Sequence, residues 1–119
     1  MHIEQFREYC LNKKGVTESF PFNEDVLVFK VLNKMFALTS LSSEEFKVSL
    51  KCDPDKSIEL REEFESITPA FHMNKKHWNS VNIVTLLDDV LFIELLNHSY
   101  DLVVKGMTKK DREILNEIK

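Results

Sequence analysis

The sequence predicts an α+β domain of two layers, in which an antiparallel sheet carries helices on one side. Three observations support this prediction. The 119 residues suffice for one hydrophobic core and are too few for two. Apolar residues alternate in several segments and recur at helical spacing in others. The predicted elements follow the order α-β-β-β-α-β-β-α-α, and consecutive strands in this order favour an antiparallel sheet. We therefore expect a single domain over residues 1–119.

The first third of the chain predicts a helix, a loop and a hairpin. These elements cover 3–13, 16–25 and 26–40. Apolar residues in the helix recur at helical spacing, and Gly15 provides a stop signal. The hairpin has two β-rich strands around a turn expected at Asn33-Lys34. In the strand register that follows from this turn, Phe29 pairs with Leu38. This register also pairs Val31 with Phe36 and places Leu27, Phe29 and Val31 on the buried face, with Val28, Lys30, Ala37 and Thr39 on the other.

The remaining elements follow from alternation and capping signals. They are a strand over 45–51, a helix over 54–65, a hairpin over 70–84, a helix over 89–105 and a final helix over 109–118. Asp53-Pro54 combines an N-cap residue with proline at the first helical position. Thr108 and Asp111 have the spacing of a capping box. In the second hairpin, with its tip at residues 74–77, the residues expected to face inward are Phe71, Met73, Val81 and Ile83.

Charge is distributed unevenly along the chain. The net charge is −4, which by itself does not indicate nucleic-acid binding. The predicted strand segments nevertheless contain one acid, Glu45, against six lysines, namely Lys30, Lys34, Lys47, Lys51, Lys75 and Lys76. We expect a basic outer sheet face and an acidic helical side. Two interpretations remain open, because lysines also protect exposed strands from edge pairing, whereas a basic face can bind a polyanion.

The second hairpin concentrates polar and aromatic groups that suit phosphate contacts and base stacking. No acid lies between Glu65 and Asp88. This stretch contains His72, Asn74, Lys75, Lys76, His77 and Trp78, the last being the only tryptophan. The alternative is structural: Trp78 would anchor the core or its rim, and the histidines and lysines would be satisfied locally.

Other chemistries lack a motif. We expect no cofactor and no metal site, because Cys52, His72 and His77 do not have a recognised ligand spacing. Cys10 and Cys52 form no CxxC pair and predict two reduced thiols. Two glycines cannot form a glycine-rich phosphate loop, and Ser99-Tyr100 is expected to be an interior hydrogen-bonding pair. We therefore expect no enzymatic activity. Without a secretory signal or an apolar run long enough to span a bilayer, we expect a cytoplasmic protein.

Several sequence blocks together resemble the MmcQ/YjbR family of small bacterial proteins. The blocks are KGVTESFPF (14–22), VFKVLNKMFAL (28–38), VSLKCDP (48–54), PAFHMNKKHWNSV (69–81) and HSYDLVV (98–104). Positions that match the family's recurrent residues are Lys51, Pro54, Pro69, His72, Asn74, Lys75, His77, Trp78, Ser99 and Tyr100. The resemblance implies a YjbR-like fold related to type III secretion chaperones, and the label of a double-wing DNA-binding protein. One departure is the turn Leu32-Asn33, where the family pattern leads us to expect glycine.

Residue chemistry and family resemblance together predict weak DNA binding with little sequence specificity, since no arginine lies in the predicted strands to read guanine. The expected binding residues are Lys30, Lys34, Lys47, Lys51, His72, Asn74, Lys75, Lys76, His77 and Trp78. One alternative is a protein-interaction or peptide-binding module, chaperone-like and homodimeric, with no role in nucleic-acid binding. Another is a small-ligand pocket lined by His72, Trp78 and Tyr100.

Overall fold

The computed structural model describes residues 1–118 and confirms the α+β class. Over that range the chain forms five helices and six strands. They are α1 (Ile3–Leu11), β1 (Val16–Ser19), β2 (Val26–Val31), β3 (Lys34–Ser40), β4 (Lys47–Lys51), α2 (Pro54–Glu63), β5 (Ile67–Pro69), β6 (Trp78–Asn82), α3 (Ile83–Leu86), α4 (Asp89–Lys105) and α5 (Lys109–Glu117). No helix in residues 1–118 is both long enough and apolar enough to cross a bilayer.

The strands form one antiparallel sheet in the order β1-β2-β3-β4-β6-β5. Helix α4 packs across the inner face, where it contacts β2, β3 and β4. The core between the two layers is centred on Phe6, whose ring lies 5.3 Å from Phe29, 5.9 Å from Phe46 and 6.0 Å from Phe92, measured between centroids. Edge-on aromatic packing of this kind adds to the free energy gained from burying apolar surface.

Two elements are present that the sequence analysis did not predict. The loop expected over 16–25 contains the edge strand β1, which pairs with β2. Gly15 precedes it with a φ of +75°, and a Cβ atom there would lie 2.6 Å from Leu115 Cδ1. Glycine is therefore required both by backbone conformation and by packing. The second unpredicted element is the one-turn helix α3, which replaces the expected end of the second hairpin.

The register predicted for the first hairpin is wrong, by two residues beside the turn and by one residue further along the strands. Next to the turn, Val31 pairs with Lys34 and not with Phe36, an error of two residues. The register shifts between Phe29 and Lys30, and beyond this shift the error is one residue, since Phe29 pairs with Ala37. Such a β-bulge places two successive residues on one face. Phe36 and Ala37 are consequently both fully buried in the core, and Leu38 faces outward. Thr39, also expected on the outer face, is 2 % exposed on the inner one.

The turn of this hairpin consists of Leu32-Asn33, one residue earlier than predicted. Both residues have left-handed backbone angles, with φ values of 45° and 69°. Two positive φ values match the twist of a two-residue hairpin and explain why glycine is expected there. Asn33 tolerates this conformation. Leu32 adopts it while its side chain packs against the core, so burial of the leucine offsets the backbone strain.

The second hairpin is shorter than predicted and begins earlier. Strand β5 pairs with β6 through Ile67, Thr68 and Pro69, whereas residues 70–73 form a turn that folds over the outer face. Phe71, expected to face inward, is 68 % exposed, and Met73 is only half-buried. Val81 and Ile83 are buried as predicted, although Ile83 begins α3.

The other predicted boundaries are close to those observed. The first two helices each end two residues early, at Leu11 and Glu63, and the strand predicted from residue 45 begins at Lys47. The helix predicted over 89–105 has those bounds, and the final helix ends at Glu117. Asp53 and Thr108 cap their helices as expected, because each side chain accepts a backbone N–H three residues later.

The hydroxyl of Ser99 bridges β3 and β4 by hydrogen bonds at the position of the bulge. From α4, its Oγ accepts the backbone N–H of Lys51 in β4 at 2.9 Å and donates to the carbonyl of Phe36 in β3 at 2.5 Å. Both backbone groups would otherwise be buried without partners, a costly arrangement. The next residue, Tyr100, packs edge-on against Phe36 at 5.4 Å and donates its Oη hydrogen to Lys14 O.

Substitution Ser99→Ala is expected to lower the free energy of unfolding by about 2–3 kcal/mol, because it leaves two buried backbone groups unsatisfied. Urea unfolding followed by circular dichroism measures this difference. The control is Ser42→Ala in an exposed loop, which should change the free energy by less than about 0.5 kcal/mol. Equal effects of the two substitutions would contradict the bridging role of Ser99.

Candidate nucleic-acid interface

Lysines gather at one end of the sheet, where β2, β4 and α4 finish and β3 and β6 begin. Lys51 pairs with Trp78 across β4 and β6. Together with Lys34 at the start of β3, these residues line a cavity of about 230 Å³ beside the C-terminal end of α4. Lys105 is exposed at that helix end. We call the surface formed by Lys34, Lys51, Lys75, Lys76, Trp78 and Lys105 the lysine-rich end.

The loop over 70–77 contributes Lys75 and Lys76 to this surface. Asn74 organises the loop, since its side-chain oxygen accepts the N–H of Lys76 and its carbonyl accepts the N–H groups of His77 and Trp78. The carbonyl of His77 in turn accepts the N–H of Cys52 at 2.8 Å. Both lysine side chains are exposed. Residues 74–77, predicted as the hairpin tip, therefore form the last part of a longer ordered connection between β5 and β6, which presents two cations.

Arg61 in α2 ties this loop to the rest of the protein. Its Nε donates to the side-chain oxygen of Asn79 at 2.7 Å, and its terminal nitrogen donates to the carbonyls of Lys75 and Trp78. A guanidinium has several donors in a fixed plane, which suits three acceptors at once. Asn79 is 2 % exposed, so this asparagine orients the arginine and is not available to a ligand.

One of the predicted binding lysines, Lys47, lies away from the lysine-rich end. Lys47 begins β4 at the opposite end of the sheet, and its Nζ lies 3.0 Å from Glu45 Oε2. Lys30 lies near the lysine-rich end as the half-buried penultimate residue of β2, opposite Thr17 and Met35, and Met35 lines the cavity with Lys34. In residues 1–118, no carboxylate lies within 4.0 Å of Lys30, Lys34, Lys51, Lys75, Lys76 or Lys105.

The opposite end of the protein is acidic. At this end Asn82 donates to Glu45 at 3.1 Å, and the N-terminal amine lies 3.2 Å from Asp89. Glu63 and Glu65 line a recess there with Ser66 and Thr85. We call the region of Glu44, Glu45, Glu63, Glu65, Asp88 and Asp89 the acidic end. Charge is thus separated along the strands more clearly than between the two faces of the sheet.

The outer face of the sheet carries a separate groove of about 390 Å³. Its floor includes Ser49, Ser80 and Thr68, which lie side by side across β4, β6 and β5. Phe71, His72 and Met73 form one wall, and no carboxylate is among the lining residues of the described chain. His72 therefore belongs to this groove, whereas Trp78 belongs to the lysine-rich end.

The small-ligand pocket proposed from the sequence does not form, because its three residues lie in three places. His72 is exposed beside the groove and Trp78 lines the cavity with Lys51. Tyr100 packs on Phe36 on the helical side of the sheet. Its partner Ser99 is the interior hydrogen-bonding residue that the sequence predicted.

Cys52 and His98 lie where α2 begins, close to the lysine-rich end. Burial raises the pKa of the Cys52 thiol above its ordinary value, which disfavours the reactive thiolate. His98 Nε2 accepts the backbone N–H of Asp53 at 3.2 Å. Burial lowers the pKa of His98, as does nearby Lys56, while Asp53 and Asp101 act in the opposite direction. The imidazole is therefore neutral where it holds α2 against α4.

Sequence reasoning overlooked the contributions of the helices to this site. Lys105 was predicted only as the last residue of a helix. A lysine in the last turn interacts favourably with the negative end of the helix dipole, and this position at the helix end could have marked it as part of a basic surface. Arg61 gave no detectable signal, because its acceptors in the loop and in β6 lie 14 to 18 residues further along the chain. Lys109 and Lys110 are exposed just beyond Gly106, which lines the cavity with Trp78, and they extend the basic surface.

Fold and sequence comparisons identify the class of this protein. The family model described as YjbR matches residues 11–102, and the chain belongs to the YjbR family.

Relatives and solved structures agree with this assignment. The chain is 39% identical to YbdF, an uncharacterized protein of Escherichia coli, over 92% of this chain and 90% of that protein. It is 28% identical to YjbR of Escherichia coli, over 99% of this chain and all of that protein. The crystal structure of DR2400 from Deinococcus radiodurans, with domain DUF419, has a TM-score of 0.88 at 41% identity, over 96% of this chain and 87% of that one. A Pseudomonas syringae protein has a TM-score of 0.73 at 26% identity, over 87% and 99% of the respective chains.

Substitution Arg61→Lys should loosen the loop over 70–77, because lysine cannot satisfy three separated acceptors. Loss of one or two charge-assisted hydrogen bonds should raise the open population of the loop by about tenfold. Limited trypsin digestion, with cleavage after Lys75 and Lys76 followed by mass spectrometry, measures this opening. Arg112→Lys on the exposed face of α5 is the matched control. An unchanged cleavage rate would exclude the tethering role of Arg61.

Stability should fall as pH is lowered through the titration of His98. The lowered pKa means that the folded protein binds this proton less readily than the unfolded chain, whose value is near 6.5. The contribution of neutral His98 to the free energy of unfolding is therefore complete above about pH 6.5 and declines below it. In His98→Gln, the amide oxygen can accept from Asp53 without titrating, so the fall in Tm between about pH 7.5 and pH 5 should be smaller than in the original protein. Identical falls would contradict this assignment.

Proposed function

We propose that the protein binds DNA through the lysine-rich end, weakly and with little sequence specificity. The observation that carries this proposal is that Lys34 and Lys51 line one cavity with Trp78, while Lys75, Lys76 and Lys105 lie within three residues of Trp78 or Gly106 along the chain. Within residues 1–118, none of these five lysines is ion-paired. Lysine ammonium groups suit phosphate oxygens as mobile point charges. Trp78 is half-buried beside Lys51 and provides an apolar surface next to these cations.

Groups that could read bases are engaged within the protein. Asn79 is buried against Arg61, and Arg61 is itself committed to the loop. Asn82 caps α3 through its side-chain oxygen and donates its amide hydrogen to Glu45. Sequence readout depends on hydrogen bonds to base edges, for which arginine and asparagine are the commonest donors. Binding through phosphate contacts alone is consistent with low sequence specificity.

The separation of charge supports one orientation of the bound nucleic acid. The acidic end would be repelled by phosphates, while the lysine-rich end would be attracted. The net charge of −4 disfavours long-range attraction between the whole protein and DNA. Binding therefore depends on short-range contacts between the lysine-rich end and the phosphates. Such binding is expected to be sensitive to salt, because released counterions supply much of its free energy.

The outer-face groove favours a second candidate function, the binding of an extended peptide. Its volume of about 390 Å³, its hydroxyl-bearing floor and the apolar side chains of Leu38, Phe71 and Met73 suit a peptide with alternating side chains. The test is selection of peptides from a displayed random library, followed by Ser80→Phe to fill the groove. Peptides that bind the original protein and not this variant would favour the second candidate.

Titration with duplex DNA should change the fluorescence of Trp78, the only tryptophan of the chain. With about five lysines engaged, the logarithm of the association constant should fall by about 4–5 per logarithmic unit of salt. Fluorescence and anisotropy measured on labelled DNA over a salt series give this slope. A flat salt response, or no binding at low salt, would refute the proposal.

Single substitutions locate the contact surface. Lys34→Gln, Lys75→Gln and Lys76→Gln should each weaken binding similarly on all DNA sequences and reduce the salt slope by about one. Lys47→Gln removes the same charge at the opposite end of the sheet and should leave the slope unchanged. Equal effects of Lys47→Gln and the other three variants would indicate nonspecific attraction without a defined surface.

A further inference from the structure

Three exposed apolar side chains meet at the acidic end, between α3 and α4. Val84, Leu87 and Val90 are 62 %, 87 % and 71 % exposed. Together with Met1 and Ile83 they border a groove of about 550 Å³. We call Val84, Leu87 and Val90 the apolar shoulder. Isolated exposed apolar residues are ordinary, but a contiguous group of them marks an interaction surface.

Leu87 has an unusual backbone as well as an exposed side chain. Its φ of 55° and ψ of 28° place it in the left-handed region, which is unfavourable for leucine. Leu32, the other leucine with a positive φ, packs against the core, whereas Leu87 has no comparable packing. The conformation ends α3, whose C-cap is Leu87, directly before Asp88 caps α4. Glycine or asparagine is usual at such a position, and contacts within residues 1–118 do not explain the exposed leucine. Strained residues of this kind concentrate at binding surfaces.

The surroundings of the apolar shoulder restrict what can bind there. Asp88 borders the same groove, and Glu63 and Glu65 lie at the same end of the molecule without an ion pair in residues 1–118. Asp89 and Glu45 add to this negative charge, although the N-terminal amine and Lys47 respectively offset part of it. A partner must therefore combine apolar groups with positive charge. The lysine-rich end of the same chain has this composition, since Lys34, Lys75 and Lys76 accompany Trp78. The Nζ of Lys75 also lies 5.2 Å from the ring centroid of Phe71, the exposed aromatic residue of the adjoining groove.

We propose that the apolar shoulder docks the lysine-rich end of a second copy of this chain, in a head-to-tail arrangement. The two surfaces lie at opposite ends of the strands and are complementary in charge, whereas two acidic ends would repel each other. A two-fold dimer through the shoulder is therefore disfavoured. Head-to-tail contacts are heterologous and can add further copies unless the arrangement closes into a ring.

The expected association is weak and depends on salt. The shoulder offers three side chains, so the interface should fall at the small end of the range for protein complexes. Attraction between the two ends should be reduced when salt screens the charges. The proposal shares the lysine-rich end with the proposed function but requires no DNA. Its test contains no nucleic acid, so each can fail without the other.

Sedimentation velocity over a range of protein concentrations tests the association. At about 50 mM salt the mean sedimentation coefficient should rise with concentration, and at about 500 mM salt it should stay near the monomer value. A shoulder variant, Leu87→Asn with Val90→Gln, should weaken association at least tenfold, on the order expected for loss of a central apolar contact. Asparagine tolerates the left-handed backbone, so this variant should remain folded.

Mixing complementary variants distinguishes head-to-tail contact from other arrangements. An end variant, Lys34→Glu with Lys75→Glu and Lys76→Glu, keeps the shoulder, and the shoulder variant keeps the lysines. Neither should associate alone, yet a mixture of the two should form one-to-one complexes that grow no further. Ile58→Gln, which removes an exposed apolar side chain from α2, is the control and should associate like the original protein.

Three outcomes would overturn the proposal. The first is a monomer at every concentration in low salt. The second is a shoulder variant that associates as strongly as the original protein. The third is a mixture of the two variants that remains monomeric although the original protein associates. Thermal melts followed by circular dichroism verify that each variant is folded before these outcomes are interpreted.

Discussion

A single hydroxyl group holds the sheet and its covering helix in register. The bulge in β3 separates Phe36 from its neighbour strand, and Ser99 of α4 occupies the gap by bonding to both strands. This contact fixes the helix over β3 and β4 and lets Tyr100 pack against Phe36. Because Lys51 is one of the two bridged residues, the position of the lysine-rich end depends on the same contact.

Charge separation follows from the directions of strands and helices. The strands β3, β4 and β6 bring Lys34, Lys51 and Trp78 together at one end, where α2 also begins with Asp53 and Asp55, and most of the carboxylates near Asn82 lie at the other end. Counting charges by strand assigns all six lysines to one face, because a count carries no information about position along the strand. The structure replaces a basic face with a basic end, and Lys47 moves to the acidic side with Glu45 as its partner.

Elements with local signals were predictable, and those set by distant contacts were not. The capping residues Asp53 and Thr108 and the long apolar helix α4 depend on neighbours within one turn. The earlier turn at Leu32-Asn33 and the bulge at Phe36 together set the register of the first hairpin, and a bulge leaves no trace in an alternating pattern. Arg61 and Asn79 meet only after the chain has folded. The sequence analysis found four of the five lysines of the lysine-rich end and Trp78, whereas it missed Lys105 and the arginine that organises the loop.

Tethering of the loop by Arg61 has an energetic consequence for any ligand that binds there. A flexible loop loses conformational entropy when it binds, and that loss reduces affinity. The loop over 70–77 is already held by a guanidinium and by its own asparagine turn. The loop therefore loses its conformational entropy during folding, when burial of the core compensates for that loss. A ligand then binds to a preorganised surface. Even weak contacts to Lys75 and Lys76 then contribute to affinity with little further loss of freedom.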